Sequence, residues 1–138
     1  MTSTVGIADR LGIDVGLVVQ EVGFGEDCDE QVRTEVQERI GSELLDEDVD
    51  DVVDMVLLWW RSDDGDLADA LVDAVTPLAE DGVIWVLTPK SGRDGYVEPS
   101  EIAEAVATAG LSRASAVGVG ESWSGVRVVS PQNAKRTR

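Results

Sequence analysis

The sequence predicts an open, three-layer α/β sheet, mostly parallel, with an antiparallel last strand. Three observations carry this expectation. Two apolar runs of strand length, "VVDMVLLWW" (52–60) and "VIWVLT" (83–88), are continuous rather than alternating, as in strands buried on both faces. Between them, "DLADALVDAVTPLAEDG" (66–82) places Leu67, Ala70, Leu71, Ala74, Val75 and Leu78 on one helical face, with Asp66, Asp69, Asp73 and Glu80 outside. A strand, a crossover helix and a strand joined in this way form a right-handed parallel unit.

The other elements fall on either side of this unit. "VGIADRLGI" (5–13) predicts a short helix closed near Gly12. "LVVQEV" (17–22), rich in β-branched residues and bounded by Gly16 and Gly23, predicts a strand. From Asp29 to Ile40, Val32, Val36 and Ile40 recur every four residues among charges, which predicts an amphipathic helix with a narrow buried stripe and a stop at Gly41. Asp64 or Asp66 caps the central helix, and Pro77 bends or ends it in its last turn. A further helix from about Glu98 to Ala109 turns Ile102, Ala105, Val106 and Ala109 inward, with Pro99 in its first turn and Gly110 as its stop. "ASAVGVGESW" and "GVRVVSP" predict a closing hairpin that turns at Ser124–Gly125. Residues 1–130 are expected to form a single domain, and residues 131–138 a disordered basic tail.

Composition narrows the function classes. Apolar residues make up 43% of the 138-residue chain and occur in blocks, which predicts a globular rather than a disordered chain. No stretch approaches the ~18 to 20 apolar residues that span a bilayer, and "MTSTVGIADR" has neither a basic opening nor an apolar signal core. A cytoplasmic protein without membrane contact is expected. Cys28 is the only cysteine and histidine is absent, which removes disulfides, multi-Cys metal clusters and the commonest general base. The acidic joint "DEDVDD" (46–51) lacks the central glycine and trailing glutamate of a calcium loop, so no metal site is expected. Acidic residues number 28 against 11 basic ones, and Lys135, Arg136 and Arg138 supply three of the latter. Such a field repels phosphate backbones and argues against direct nucleic-acid binding, while favouring a protein partner with a basic surface.

Three segments following parallel strands converge at the carboxyl edge of such a sheet, where open α/β folds bind ligands. They are Gly23, Phe24, Gly25, Glu26 and Asp27; Trp60, Arg61, Asp63 and Asp64; and Thr88 with the polar loop "TPKSGRDGYVEP" that holds Lys90, Arg93 and Tyr96. Trp59 and Trp60 point to opposite faces of their strand, either as core residues or with one forming an aromatic wall at that edge. Lys90 and Arg93 either balance Glu26 and Asp27 or touch an anionic ligand or partner. Tyr96 and Trp123 are candidates for an exposed aromatic anchor. No catalytic set emerges, because Ser62, Ser91 and Ser122 lack a histidine and no carboxylate pair stands out among so many. Asp27 and Asp29 beside Cys28 disfavour its thiolate.

Two resemblances follow from these residues. "LAEDGVIWVLTP" is similar to the entry into the fifth strand of class I S-adenosylmethionine-dependent methyltransferases, and "VVDMVLLWW" resembles the strand before it. "EVGFGED" resembles their first glycine loop, "D/E-x-G-x-G-x-G", with Glu21, Gly23 and Gly25 matching and Asp27 at the third glycine position. The resemblance implies a Rossmann-like sheet with a shortened methyltransferase-like topology. "ADRLGI", "VVQEVGFGEDCDE" and "LLWWRSDDGDL" together resemble a family of small acidic actinobacterial proteins, domain of unknown function 3052, which implies no activity.

The residues of the glycine loop argue against a working site. Glu26, Asp27, Asp29 and Glu30 crowd the helix start that would face an anionic ligand, and they stabilise that helix end themselves. The acidic residue ~20 positions on that would hold ribose hydroxyls is expected on a strand this chain lacks. No cofactor is therefore expected. The function expected is a non-enzymatic interaction or regulatory domain with an acidic surface and a degenerate cofactor loop, its partner a basic protein or a second copy. A small-ligand sensor for a nucleotide or S-adenosylmethionine-like molecule, or a methyltransferase, is the alternative.

Overall fold

In the computed structural model, which describes residues 6–49 and 51–130, the two continuous apolar runs become the centre of a five-stranded sheet. The strands are β1 (Val19–Val22), β2 (Val53–Trp59), β3 (Leu78–Pro89), β4 (Ser112–Val119) and β5 (Trp123–Val129), in the spatial order β1-β2-β3-β5-β4. The first three are parallel, with Val19 opposite Met55 and Trp59 opposite Leu87. β5 runs antiparallel to both neighbours. The antiparallel strand is thus last in the chain but second from the edge of the sheet. The tail expected at 131–138 and Val5 of the expected first helix lie outside the described residues.

Four helices cover the two faces: α1 (Ile7–Arg10), α2 (Glu30–Ile40), α3 (Leu67–Val75) and α4 (Pro99–Thr108). Strand alternation sorts the side chains between them. Met55, Leu57, Trp59, Trp85 and Leu87 join Val32, Val36 and Ile40 under α1 and α2. Val56, Leu58, Ile84 and Val86 join Leu67, Leu71, Ile102 and Val106 under α3 and α4. Trp59 and Trp60 accordingly lie on opposite faces, Trp59 buried in the first core and Trp60 half-buried against the second. Short aspartate side chains start two of the helices: Asp29 accepts from Gln31 N at 2.9 Å, and Asp66 accepts from Ala68 N at 2.9 Å.

Two expected boundaries move. The central helix ends at Val75, so Leu78 begins β3 and does not lie on the helical face. Pro77 lacks the N–H that would continue the helix, and its carbonyl instead accepts from Val53 N at 2.9 Å, which draws the chain directly into the sheet. The closing hairpin turns at Gly120–Ser122 rather than at Ser124–Gly125, since Val119 pairs with Trp123. Gly125 sits inside β5 for a packing reason. A Cβ there would lie 3.0 Å from Val119, 3.1 Å from Trp85 and 3.2 Å from Leu87.

The outer edge of β1 is not bare. Leu45 makes a parallel bridge to Gln20, with Glu21 N donating to Leu45 O and Leu45 N donating to Val19 O, both at 2.9 Å. The Gln20 amide then ties the following connection down through the carbonyls of Asp46 and Val49, each at 3.0 Å. A single bridging residue thus stands where a longer sheet would continue, and it shields part of an edge open to other chains.

Gly125→Val should lower stability in urea unfolding by about 1 to 3 kcal/mol through overpacking, whereas Ser124→Ala next to it should stay within about 0.5 kcal/mol. A tolerated valine at Gly125 would instead favour the turn position the sequence suggests.

Candidate functional site

The loop after β1 turns where the backbones of two strands nearly touch. Gly23 has φ +81°, and a Cβ on it would sit 2.6 Å from the Trp59 carbonyl oxygen at the end of β2. Only glycine fits that approach. Its neighbour in β1, Glu21, is buried, and a buried carboxylate needs partners that replace its water. It has them: Arg33 forms an ion pair with Oε1 and donates from Nε at 3.1 Å, and Trp59 Nε1 donates to Oε2 at 3.0 Å. The Arg33 guanidinium also lies 3.6 Å above the Phe24 ring centroid. Phe24 meets Trp59 edge-on at 5.7 Å, and Trp59 meets Trp123 edge-on at 4.8 Å.

Arg61, from the loop after β2, fills the space over the glycine loop. Its five N–H donors all find acceptors. Nε donates to Asp27 Oδ2 at 2.9 Å and Nη2 to Asp27 Oδ1 at 2.6 Å, a bidentate pair. Nη1 donates to the Gly23 carbonyl at 2.8 Å and to Asp64 Oδ2 at 3.3 Å, and Nη2 also donates to Cys28 Sγ at 3.0 Å. The Arg61 side chain is only 14% exposed, and its guanidinium carbon lies 5.6 Å from the Trp123 ring centroid. A Cβ on Gly25 would meet Arg61 Nη2 at 3.2 Å, and one on Gly95 would meet the Arg61 Cβ and Cγ at 3.0 Å.

The charges respond to these contacts. Hydrogen bonds from Arg61 hold the Asp27 carboxyl below its ordinary value; burial opposes them, and the charge of Arg61 adds a lesser lowering. The Arg61 guanidinium is pushed above its ordinary value, first by its hydrogen bonds to Asp27. Burial pushes the Cys28 thiol up to about 11, although the Gly25 amide and Arg61 oppose the rise. The charges of Asp27 and Glu21 add to it, but desolvation dominates. Cys28 is therefore an acceptor within this cluster rather than a reactive thiolate.

The candidate residues do lie along the carboxyl edge, but they separate into groups. Gly23, Phe24, Gly25, Asp27, Arg61, Asp64 and Trp123 share one contact network. Lys90 and Arg93 form no direct ion pair with Glu26 or Asp27, although the charge of Arg93 adds a minor lowering to the Asp27 carboxyl. Lys90 Nζ donates to the Gly120 carbonyl at 3.3 Å and Arg93 Nη1 to the Ser122 carbonyl at 3.1 Å, which stitches their loop to the β4–β5 hairpin. The Ser122 carbonyl also accepts from Lys90 N at 2.9 Å, so the Arg93 contact reinforces a backbone link between the loop and the hairpin turn. Trp123 is 1% exposed and donates from Nε1 to Asp27 O at 3.3 Å, so it is a core residue and not an exposed anchor. Tyr96 is half-buried, Thr88 is buried, and Glu26 and Asp63 are exposed. Sequence reasoning missed Arg33, Cys28 and Gly95 as members of the cluster. The one available signal was Glu21, a charge inside a β-branched strand that demanded a cation.

These side chains do not fit a methyl donor over the glycine loop. The space such a ligand needs above Gly25 holds the Arg61 guanidinium, and Gly23 is spent on the close approach to β2. Among the described residues no three or more Asp, Glu or Cys side chains converge as metal ligands would. Nor is any described helix long and apolar enough to cross a membrane.

Because the Asp27 carboxyl is lowered by folding, its contribution is present above the ordinary value of 3.8 and fades as pH falls through the folded value. Asp27→Asn should cost no more than about 1 kcal/mol at pH 7, since the carboxylate is half exposed, and the difference from the parent should shrink as pH falls below 3.8. With its thiol at about 11 rather than 9.0, Cys28 should carry roughly a hundredfold less thiolate at pH 8 and react with iodoacetamide correspondingly slowly.

The uncharacterized proteins Rv2239c of Mycobacterium tuberculosis and Mb2263c of Mycobacterium bovis are each 56% identical over 126 residues, covering 91% of this chain and 79% of theirs. Among solved structures, a SAM dependent methyltransferase from Aquifex aeolicus is similar with a TM-score of 0.56 at 17% identity, over 88% of this chain and 86% of that one. A putative methyltransferase from Thermoplasma acidophilum gives a TM-score of 0.62 at 10% identity, over 87% and 70%. At such identities the likeness shows the fold alone, a methyltransferase-like Rossmann sheet. Residues 8–132 match the family described as protein of unknown function (DUF3052), and the chain belongs to it.

Proposed function

We propose that this chain is a non-enzymatic, protein-binding regulatory domain on a methyltransferase-like frame, working in the cytoplasm through its acidic surface. The observation that carries the reading is Arg61, whose donors are all engaged with the glycine loop and its neighbours, so that the protein's own cation occupies the region a methyl donor would need. What remains for recognition is charge. A net charge of −17 favours a partner with a basic surface and disfavours a second copy of the same chain.

Thermal unfolding tests the first half of this reading. S-adenosylmethionine, S-adenosylhomocysteine and adenine nucleotides at millimolar concentration should leave the melting temperature unchanged, whereas a ligand at 100 times its Kd would add about 2.7 kcal/mol. A rise of several degrees with any of them would favour a small-ligand sensor or a methyltransferase instead. Capture from native cytosol at about 0.1 and 0.5 M salt tests the second half, since acidic-surface docking weakens as screening grows. The expected outcome is a basic protein retained at low salt and lost at high salt. Failure to retain any protein at low salt would overturn the proposal.

A further inference from the structure

The face of the sheet that carries α3 and α4 is not covered to its end. Beyond α3, toward the β1 edge, the described residues that flank the strands on this face are Glu47, Val49, Asp51 and Val52 of the connection before β2. Between that connection and α3 lies an open groove of about 500 Å³. Its floor is apolar, formed by Val22, Leu58, Trp60 and Ala74, and Val52 at its side is 72% exposed. Exposed apolar surface gathered in a concavity marks a binding surface more often than scattered apolar residues do.

The polar groups of the groove divide sharply. Gln20 has its amide engaged by two backbone carbonyls, and the Thr76 hydroxyl donates to Val72 O at 3.4 Å, so neither invites a ligand. Glu47, Asp51 and Asp73 line the rim. Among the described residues no ion pair or side-chain hydrogen bond involves any of the three, and no lysine or arginine lines the groove. The surface therefore offers an apolar seat flanked by free negative charge.

We infer that this groove receives a basic, amphipathic peptide segment of a partner protein, seated with apolar side chains over Leu58 and Trp60 and with Lys or Arg beside Glu47, Asp51 and Asp73. The inference rests on the protein-binding reading above and gives that reading a place. A second copy of this chain is a poor occupant, because it would bring 28 acidic residues against 11 basic ones to an already acidic rim. A helix laid in a groove in this way presents its apolar stripe to the floor and its charged flanks to the rim.

The test uses the full chain and a fluorescein-labelled 16-residue peptide of leucine and lysine at helical spacing, with a scrambled peptide of the same composition that has no apolar face. Anisotropy at 150 mM salt should show the amphipathic peptide binding at least tenfold tighter than the scrambled one. Ala70→Arg, which fills the groove from α3, and the pair Glu47→Lys with Asp73→Lys should each weaken binding tenfold or more, with folding checked by circular dichroism. The pair Glu38→Lys with Glu104→Lys, which changes net charge equally away from the groove, should weaken it less than twofold. Equal losses in the two pairs, or no preference over the scrambled peptide, would overturn the groove and leave diffuse attraction. Removal of residues 131–138 that raises peptide affinity tenfold would make the chain's own end the occupant and overturn the partner. A dimer in sedimentation that Ala70→Arg disperses would do the same in favour of a second copy. If the groove fails while low-salt capture still retains a protein, the partner surface lies elsewhere; loss of both removes the parent reading.

Discussion

One guanidinium organises the carboxyl edge of this sheet. Arg61 leaves the end of β2 and reaches back across the loop that follows β1, where it meets both oxygens of Asp27, the Gly23 carbonyl, Asp64 and the Cys28 sulfur. A planar fork with five donors suits this task better than an ammonium, which could satisfy neither the bidentate carboxylate nor the carbonyl beside it in one geometry. The guanidinium is mostly buried while its carboxylate partners are partly exposed, so the loss of Arg61 would leave the Gly23 carbonyl and the Cys28 sulfur without their partly buried donor as well as breaking two ion pairs. The path of the glycine loop, the seat of Trp123 and the environment of Cys28 all follow from where this group lies.

A second ion pair supports the first from below. Glu21 is buried beneath the loop and is held by Arg33 and the Trp59 indole, while Arg33 itself lies on Phe24. The aromatic rings then run edge to face from Phe24 through Trp59 to Trp123, and the last of these lies beneath Arg61. Cation, ring, ring, ring and cation therefore form one packed unit across the carboxyl edge. Each of the two arginines is offset by a carboxylate of its own, Glu21 for Arg33 and Asp27 for Arg61, so the unit is close to neutral and the acidic excess of the chain lies outside it.

Much of the frame was legible because its signals are local. The stripe Val32, Val36 and Ile40, the caps Asp29 and Asp66, and the unbroken apolar runs of β2 and β3 each follow from neighbours within a few residues. The misplacements arose where one residue type serves two purposes. Gly125 looks like a turn residue, yet it is glycine because Trp85 and Leu87 crowd it. Leu78 continues the helical spacing, but the missing N–H of Pro77 ends the helix first. The site was less legible than the fold. Arg61 lies 34 positions from Asp27, and "RSDDG" shows only a polar turn. Nothing local distinguishes an arginine that turns inward from one that points to water, so Lys90 and Arg93 drew attention that belonged to Arg61.

The glycine loop shows why a motif of this kind is ambiguous. A glycine can be required because a ligand approaches the backbone, or because another part of the same chain does. Here the second requirement is met in full: the Trp59 carbonyl crowds Gly23 and the Arg61 guanidinium crowds Gly25. The pattern "EVGFGED" would persist under this internal constraint with no ligand to maintain it. The same shortening of the sheet has an opposite effect on its other face. Among the described residues Leu45 alone bridges the outer edge of β1 and no helix lies over the strands beside α3, so the apolar floor of Val22, Leu58 and Trp60 stays open. The frame thus closes its carboxyl edge with its own cation and leaves an open groove rimmed by Glu47, Asp51 and Asp73 on the flank of the sheet.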